Sequence, residues 1–526
     1  MKNTALVIAL GWICSGMLAQ AQEITYPEAF NEPMQLFPSA MGSFHFPISS
    51  KNELAQTYFD QGFQLMYSFA KEESARSFRE AYLADPDCAI CYWGEAWSWG
   101  SYLNGAMTTA EAPRAYFVLQ QALARIGSAS PKEADMIRAL QVRYIENFDP
   151  ENRRVQDQAY ANSMATLAAK YPDDLDINTL YADALFLLEE RRGYRDLDDP
   201  NVVRLHQQLL SILEKDIMHP GACHLLVHAT ESTTKPEMAA PCARFLGNSI
   251  PGASHINHMP SHTWNEMGLW HEAVRANTIA WHSDQKAAFG LGFAIYPTHN
   301  LTMLYYAASM GGESAAAIQA AKDLSKLSRN PAMHALALIR FGRFDEVATV
   351  GEAPVGEIDK SMYDFSVGYA ALKLDDMATA KSTVKALEEL TATTKARFRF
   401  HDGKDIVGTL AGILAGEIAW TEGNLEAAAE AFRVATSYYD NLNYDEPEPL
   451  PFSPRHWLGS AYMALGAYDS AIAEYRLDLE DHPHNIWSLF GVQQALAMKG
   501  EKDPTIGRDL EEASTYADIW LLDTKL

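Results

Sequence analysis

Amphipathic helical periodicity begins near residue 52 and scarcely stops before the C-terminus, and strand-like alternation is almost absent. Within that pattern a spacing repeats. The segment FDQGFQLMYSFAKEESARSFREAYLADP sets Gly62, Phe78, Ala81 and Pro86 at offsets 8, 24, 27 and 32 of a 34-residue unit. Each residue type has a physical reason there. Small residues let the two helices of a hairpin approach, an aromatic ring fills the gap, and proline ends the second helix. The spacing recurs in HWLGSAYMALGAYDSAIAEYRLDLEDHP, through Leu458, Gly459, Tyr462, Ala471, Tyr475 and Pro483, and Trp487, Phe490 and Gly491 then open another unit. Gly416, Ala428, Phe432 and Ala435 hold it in between, and Gly342 marks a turn of the same kind. The expected fold is all-α, a solenoid of antiparallel helix pairs.

Other stretches set the limits of this array. Lys2, the apolar run Thr4–Met17 and Ala19-Gln20-Ala21 read as an export signal, residues 1–21, cleaved after Ala21. Residues 22–51 carry several prolines and no sustained period, so an extended N-terminal arm is expected. Helical arrays are expected over 52–350, with a His-rich centre at 219–299, and over 351–526, interrupted by a Pro-rich loop at 444–454 that reads as a linker or a lid. No later stretch approaches the roughly 18 apolar residues of a membrane span. A formal charge of −26 and a pI near 5.0 argue against nucleic acid and anionic membrane as partners. The expectation is a soluble exported protein, periplasmic or secreted. The charged loop RRGYRDLDDP reads as exposed, with Arg191, Arg192 and Arg195 solvated.

The chain resembles bacterial tetratricopeptide-repeat (TPR) proteins with a histidine-bearing centre. Three stretches carry the likeness: the segment from Phe59 through CAIC and CYWGEA, the run CHLLVHATE with HINHMPSHTW, and DEPEPLPFSPRHWLGSAYMALG. The resemblance implies a right-handed superhelix whose first helices line a concave surface, and it carries no assigned activity.

Nine of the sixteen histidines lie between His219 and His299. His224 and His228 are four residues apart, with Glu231 three further on; His255, His258 and His262 follow at spacings of three and four, and His299 opens a later helix. Such spacings stack side chains on one helical face. Placed on the first helices of three successive pairs, these residues converge on one groove. Neutral imidazoles at this spacing are ligands for a divalent transition metal, zinc, copper or iron, with Glu231 as a carboxylate ligand or a base. The candidate metal residues are therefore His224, His228, Glu231, His255, His258, His262 and His299. Pro260 should bend the helix that carries three of them. His206, His219, His271 and His282 read as ordinary polar residues.

Four cysteines remain after the signal. Cys88 and Cys91 read as small packing residues at a helix start rather than a redox pair, and Cys223 and Cys242 are placed to face each other across a hairpin. Trp93 and Trp97 share a face and read as core. No phosphate-cradling glycine loop, nucleophile elbow or dinucleotide fingerprint is present. Three functions fit: an exported TPR binding protein whose groove takes a peptide or protein and holds a metal, a metalloenzyme built on the same histidines, or a scaffold without metal.

Overall fold

The computed structural model describes residues 24–189 and 193–525. The proposed signal segment and the side chains of Arg191 and Arg192 lie outside the described residues. Among the described residues twenty-four α-helices follow one another and the strands form one short hairpin, Arg397–Phe398 with His401–Asp402. Most helices pack mainly on the helix before and the helix after, while short helix Ser254–His258 packs mainly on helix Trp270–Ala287, and buried apolar side chains form adjoining clusters along the array. This is the nearest-neighbour architecture of an α-solenoid, TPR-like in its helix pairs.

The small-plus-aromatic spacing acts as its chemistry requires. A methyl group on Gly416 would lie 2.2 Å from the Phe432 ring, and one on Gly459 would lie 2.4 Å from the Tyr475 ring. Only a residue without Cβ lets those hairpins close. Helix starts are fixed by side-chain caps: Asn52 accepts from the amides of Leu54 and Ala55, and Ser130 with Glu133 forms a capping box. Pro220 and Pro297 stand in the first turn of their helices, where a missing N–H costs nothing.

The array coils until its ends meet its middle. Helix Glu53–Tyr67 packs on helix Pro220–Thr230, and helix Pro297–Gly311 packs on helix Ile486–Lys499. Hydrogen bonds seal these junctions: Tyr102 and Tyr296 join through their hydroxyls at 2.7 Å, and Trp487 Nε1 donates to the Ser309 carbonyl at 3.1 Å.

Two irregular segments fill the interior. The arm from residue 24 to 51 holds one short 3₁₀ turn and buries Met34, Ala40 and Phe46. Its amides need acceptors there, and the first helix supplies them: Phe37 N–H donates to Gln61, Gly42 to Gln64, Phe46 to Asp60 and Ile48 to Gln56. The Pro-rich stretch 444–454 is likewise buried, with Leu450 and Phe452 in the core. It is a lid over the inner face.

Behind that lid, Asp478 is a buried hub. It accepts from His456 Nε2 at 3.0 Å, His482 Nδ1 at 2.9 Å, Asn485 Nδ2 at 3.0 Å and Ser488 Oγ at 2.5 Å. Burial pushes its carboxyl up, but His456 and His482 outweigh burial and hold it well below the usual range. Replacing Asp478 by Ala leaves His482 paired with Glu448 alone and removes the shared acceptor of His456, Asn485 and Ser488, which should cost about 3 kcal/mol, read as a lower urea midpoint by circular dichroism.

Candidate metal centre

Three helical elements and the start of a fourth deliver the histidines. His219 caps helix Pro220–Thr230, its Nδ1 accepting from the Ala222 amide, which leaves His224 and His228 one turn apart on the inner side. Helix Ser254–His258 carries His255 and His258. The chain breaks at Met259-Pro260, as the proline demands, and helix Pro260–Glu266 resumes with His262. Helix Pro297–Gly311 adds His299.

The structure brings all seven sequence-derived residues into one chamber, in overlapping sets. His224, His228 and His255 bring one ring nitrogen each within 4.8 Å of one another; His258, His262 and His299 do the same; so do His228, Glu231, His262 and Glu446. Ring centroids step through the group at 5.0 Å from His224 to His228, 5.3 Å from His228 to His262 and 4.6 Å from His262 to His258 and from His258 to His299. The convergence expected of His224, His228, His258 and His262 on one point does not occur. The rings divide, because the inner helices stand side by side and each reaches its own neighbour.

Hydrogen bonds fix the ring orientations. His224 Nδ1 lies 2.6 Å from the Tyr67 carbonyl, His228 Nδ1 2.9 Å from Glu231 Oε1, and His258 Nδ1 2.8 Å from Asn277 Oδ1. The Asn277 amide is itself oriented, since its Nδ2 donates to the Ala273 carbonyl at 2.9 Å. The partner atoms are acceptors, so each ring carries its proton on Nδ1 and its lone pair on Nε2. His258 Nε2 and His262 Nε2 stand 2.8 Å apart, and His262 Nδ1 lies 2.6 Å from Glu231 Oε2. Both ring nitrogens of His255 lack a hydrogen-bond partner among the described residues.

Burial sets the protonation. It drives His255 well below its ordinary value, with the charges of His224 and His258 adding to the effect. His258 is pushed down to about 3 by burial and then by His262, and His299 falls by burial and then by His258. These rings are neutral imidazoles, the form that ligates metals.

Several contributors are invisible to local sequence reading. Phe69 lies against His224 at 4.2 Å and His255 at 5.4 Å, and Tyr296 meets His255 edge-on at 5.1 Å. Both hold left-handed backbone, with φ of 61° and 57°. That conformation costs a bulky residue about 1–3 kcal/mol, here at two positions that wall the histidines. Glu446 reaches in from the lid, 3.8 Å from His262 Nδ1. The lid is pinned by Asp445, which pairs with His401 at 3.0 Å and Arg399 at 2.7 Å. A narrow cleft of about 30 Å³ between Tyr194, Glu266, Tyr306, Tyr444, Glu448 and His482 leads to His262 and Glu446. A string of acids in a Pro-rich run was the one available signal for Glu446.

Two expectations are corrected. Arg195 is buried, not solvated: its guanidinium donates to the His228 carbonyl and Ser232 Oγ, both at 2.8 Å, satisfying the C-terminal end of the histidine helix. Cys88 and Cys91 are bonded to each other, because three residues across a first helical turn place both sulfurs on one side. Cys223 and Cys242, whose spacing left the bond open, are bonded. Trp93 and Trp97 stack at 5.4 Å in the core. His206 donates from Nε2 to the Ala229 carbonyl, 2.9 Å away, and His282 is exposed.

No protein-family model matches the chain, and no curated protein matches it. Solved structures do. The Cut9–Hcn1 hetero-tetramer of the APC/C is 13% identical, over 87% of this chain and 76% of that one, with a TM-score of 0.30. Yeast Tom70 is 10% identical over 88% and 100%, with a TM-score of 0.30, and the P58(IPK) TPR domain is 11% identical over 85% and 98%, with 0.22. Overlaps this low carry no argument about activity. The helix-pair geometry above stands on its own. No helix among the described residues is long and apolar enough to cross a membrane.

The Cys223–Cys242 bond ties helix Pro220–Thr230 to helix Ala240–Leu246 across a short loop. Replacing both cysteines by Ser should lower stability by roughly 3 kcal/mol, the chain-entropy value for a loop of this size. A fall in urea midpoint with unchanged helical content is the expected reading.

Proposed function

We propose that this protein is a metalloprotein whose enclosed histidine centre binds an imidazole-preferring divalent transition metal, zinc, copper or iron, and that it works as a metalloenzyme on a small substrate. The observation that carries the reading is the set of acceptors behind the rings. Tyr67 carbonyl, Glu231 carboxylate and Asn277 amide each take the Nδ1 proton of one histidine and turn its Nε2 lone pair to the interior. Carboxylate, carbonyl and amide partners of this kind are what orient metal-bound imidazoles. Two nitrogens on one ion at 2.0–2.1 Å stand roughly 3 Å apart, and the 2.8 Å between His258 Nε2 and His262 Nε2 is of that size.

The enzyme reading is favoured over a peptide-binding groove by what fills the groove. The arm and the lid occupy the inner face beside the histidines, and the remaining cleft, about 30 Å³, has room for one or two water-sized groups. A peptide or protein partner therefore docks elsewhere on the superhelix. A bound metal would supply Lewis-acid chemistry. Glu446, where the cleft meets His262, is the residue placed to hold or move a proton there. Export to the periplasm accords with the two disulfides.

Metal analysis of untagged protein tests this. Near-stoichiometric metal is expected, lost when His228 and His262 are both replaced by Ala with helical content retained. Less than about a tenth of an equivalent, with no uptake on titration, overturns the reading. In cobalt- or copper-loaded protein, azide should perturb the visible spectrum, since an enzyme site keeps a coordination position open. Asn277→Leu should weaken metal binding roughly 10–100-fold by freeing the His258 ring, measured by competition with a chelator.

A further inference from the structure

We infer that the centre takes two metal ions, one in each histidine triad, an inference that rests on the metal-binding reading above. The six rings form two triads without a common member: His224, His228 and His255 in one, His258, His262 and His299 in the other. Ligand nitrogens on a single ion cannot be farther apart than twice a bond of 2.0–2.1 Å, roughly 4.2 Å. Each triad approaches that limit by itself, and the six together do not gather into one set; His228 and His262 also meet in a third set with Glu231 and Glu446, where the two triads adjoin.

The fold builds the two places from the same parts. Helix Ser254–His258 gives His255 to the first triad and His258 to the second, their rings 5.5 Å apart and nearly parallel at 27°. Each triad then takes an i, i+4 pair, His224 with His228 and His258 with His262, and one ring from a neighbouring element. Each has its own outer support, the Tyr67 carbonyl and Glu231 for the first and Asn277 for the second.

One carboxylate joins them. Glu231 Oε1 lies 2.9 Å from His228 Nδ1 in the first triad, and its Oε2 lies 2.6 Å from His262 Nδ1 in the second. Two cations in adjoining buried places repel each other, and an anion between them reduces that cost. Glu231 touches one ring of each triad, so its charge would be shared by both ions, and Glu446 enters from the lid on the His262 side. Both carboxylates are almost fully buried, at 1% and 4% exposure, so neither is there as a solvated surface acid. Three imidazoles per ion with a shared carboxylate nearby form a donor set for copper or zinc rather than for magnesium or calcium.

The test is a titration of chelator-stripped, full-length protein with Cu(II), excess ion being removed by desalting before metal is counted and spins are quantified by electron paramagnetic resonance. Wild type should retain two equivalents, with fewer spins than copper atoms if the neighbouring ions couple. His224→Ala and His299→Ala should each retain one equivalent and gain a full mononuclear signal. His282→Ala, at an exposed position, should retain two. Should an alanine variant lose helical content, His224→Gln or His299→Gln replaces it. Saturation of wild type at one equivalent overturns the two-ion centre while leaving a metal site intact, as does complete loss of metal in both folded variants. No uptake by wild type overturns the metal reading and this one with it.

Discussion

Six imidazoles packed together in a protein interior need somewhere for their ring protons to go. A neutral ring carries one N–H and one lone pair, and in a site without water an unmet donor costs about as much as a lost hydrogen bond. For His224, His228, His258 and His262 the structure meets the demand from outside the cluster, through the carbonyl of Tyr67, the carboxylate of Glu231 and the side chain of Asn277, whereas neither nitrogen of His255 has a hydrogen-bond partner among the described residues. The donors of those four rings therefore face outward and their lone pairs face inward. An interior lined with lone pairs is itself unfavourable, and a cation there would relieve it. The outer acceptors and the inner site are thus one arrangement, seen from two sides.

That arrangement needs groups from distant parts of the chain. Tyr67 ends the first helix, Asn277 lies on helix Trp270–Ala287, and Glu446 comes from the lid. An open solenoid would leave them apart, because each repeat touches only its neighbours. Here the coil tightens until helix Glu53–Tyr67 meets helix Pro220–Thr230. Where glycine faces an aromatic ring, as Gly416 does Phe432, the two helices of a pair approach closely.

What could be read from the sequence follows the range of the interaction. The helix pairs were legible because Gly62 and Phe78, or Gly459 and Tyr475, meet within one repeat. The candidate residues His224, His228, Glu231, His255, His258 and His262 were legible because spacings of three and four place side chains on one face, and His299 because the repeat put its helix next in line. Their division into two sets was not, since it depends on how three inner helices stand relative to one another. Glu446, Phe69 and Tyr296 were not, because each arrives by a turn whose path is set by the whole coil. Arg195 was misread for a related reason. A charged loop looks solvated until the helix end beneath it, with its unmet carbonyls, is known to need a donor. Cys88 and Cys91 show the opposite case, where local geometry at a helix start sufficed for bonding but did not compel it.

The lid decides what kind of protein this fold can be. A TPR-like inner face normally offers a long concave surface, and a bound segment there must have its backbone groups satisfied. In this chain the segment is its own. Arg399 donates to the carbonyls of Glu446 and Pro447, Asp445 holds His401, and Leu450 and Phe452 enter the core. Prolines at 447, 449, 451 and 454 remove amides that would otherwise need acceptors inside the groove. A polar, irregular segment can lie buried there because four of its eleven residues carry no amide donor and the carbonyls of Glu446 and Pro447 have a partner in Arg399. The lid therefore occupies its part of the array as a bound peptide would and carries a carboxylate to the histidines as it does so.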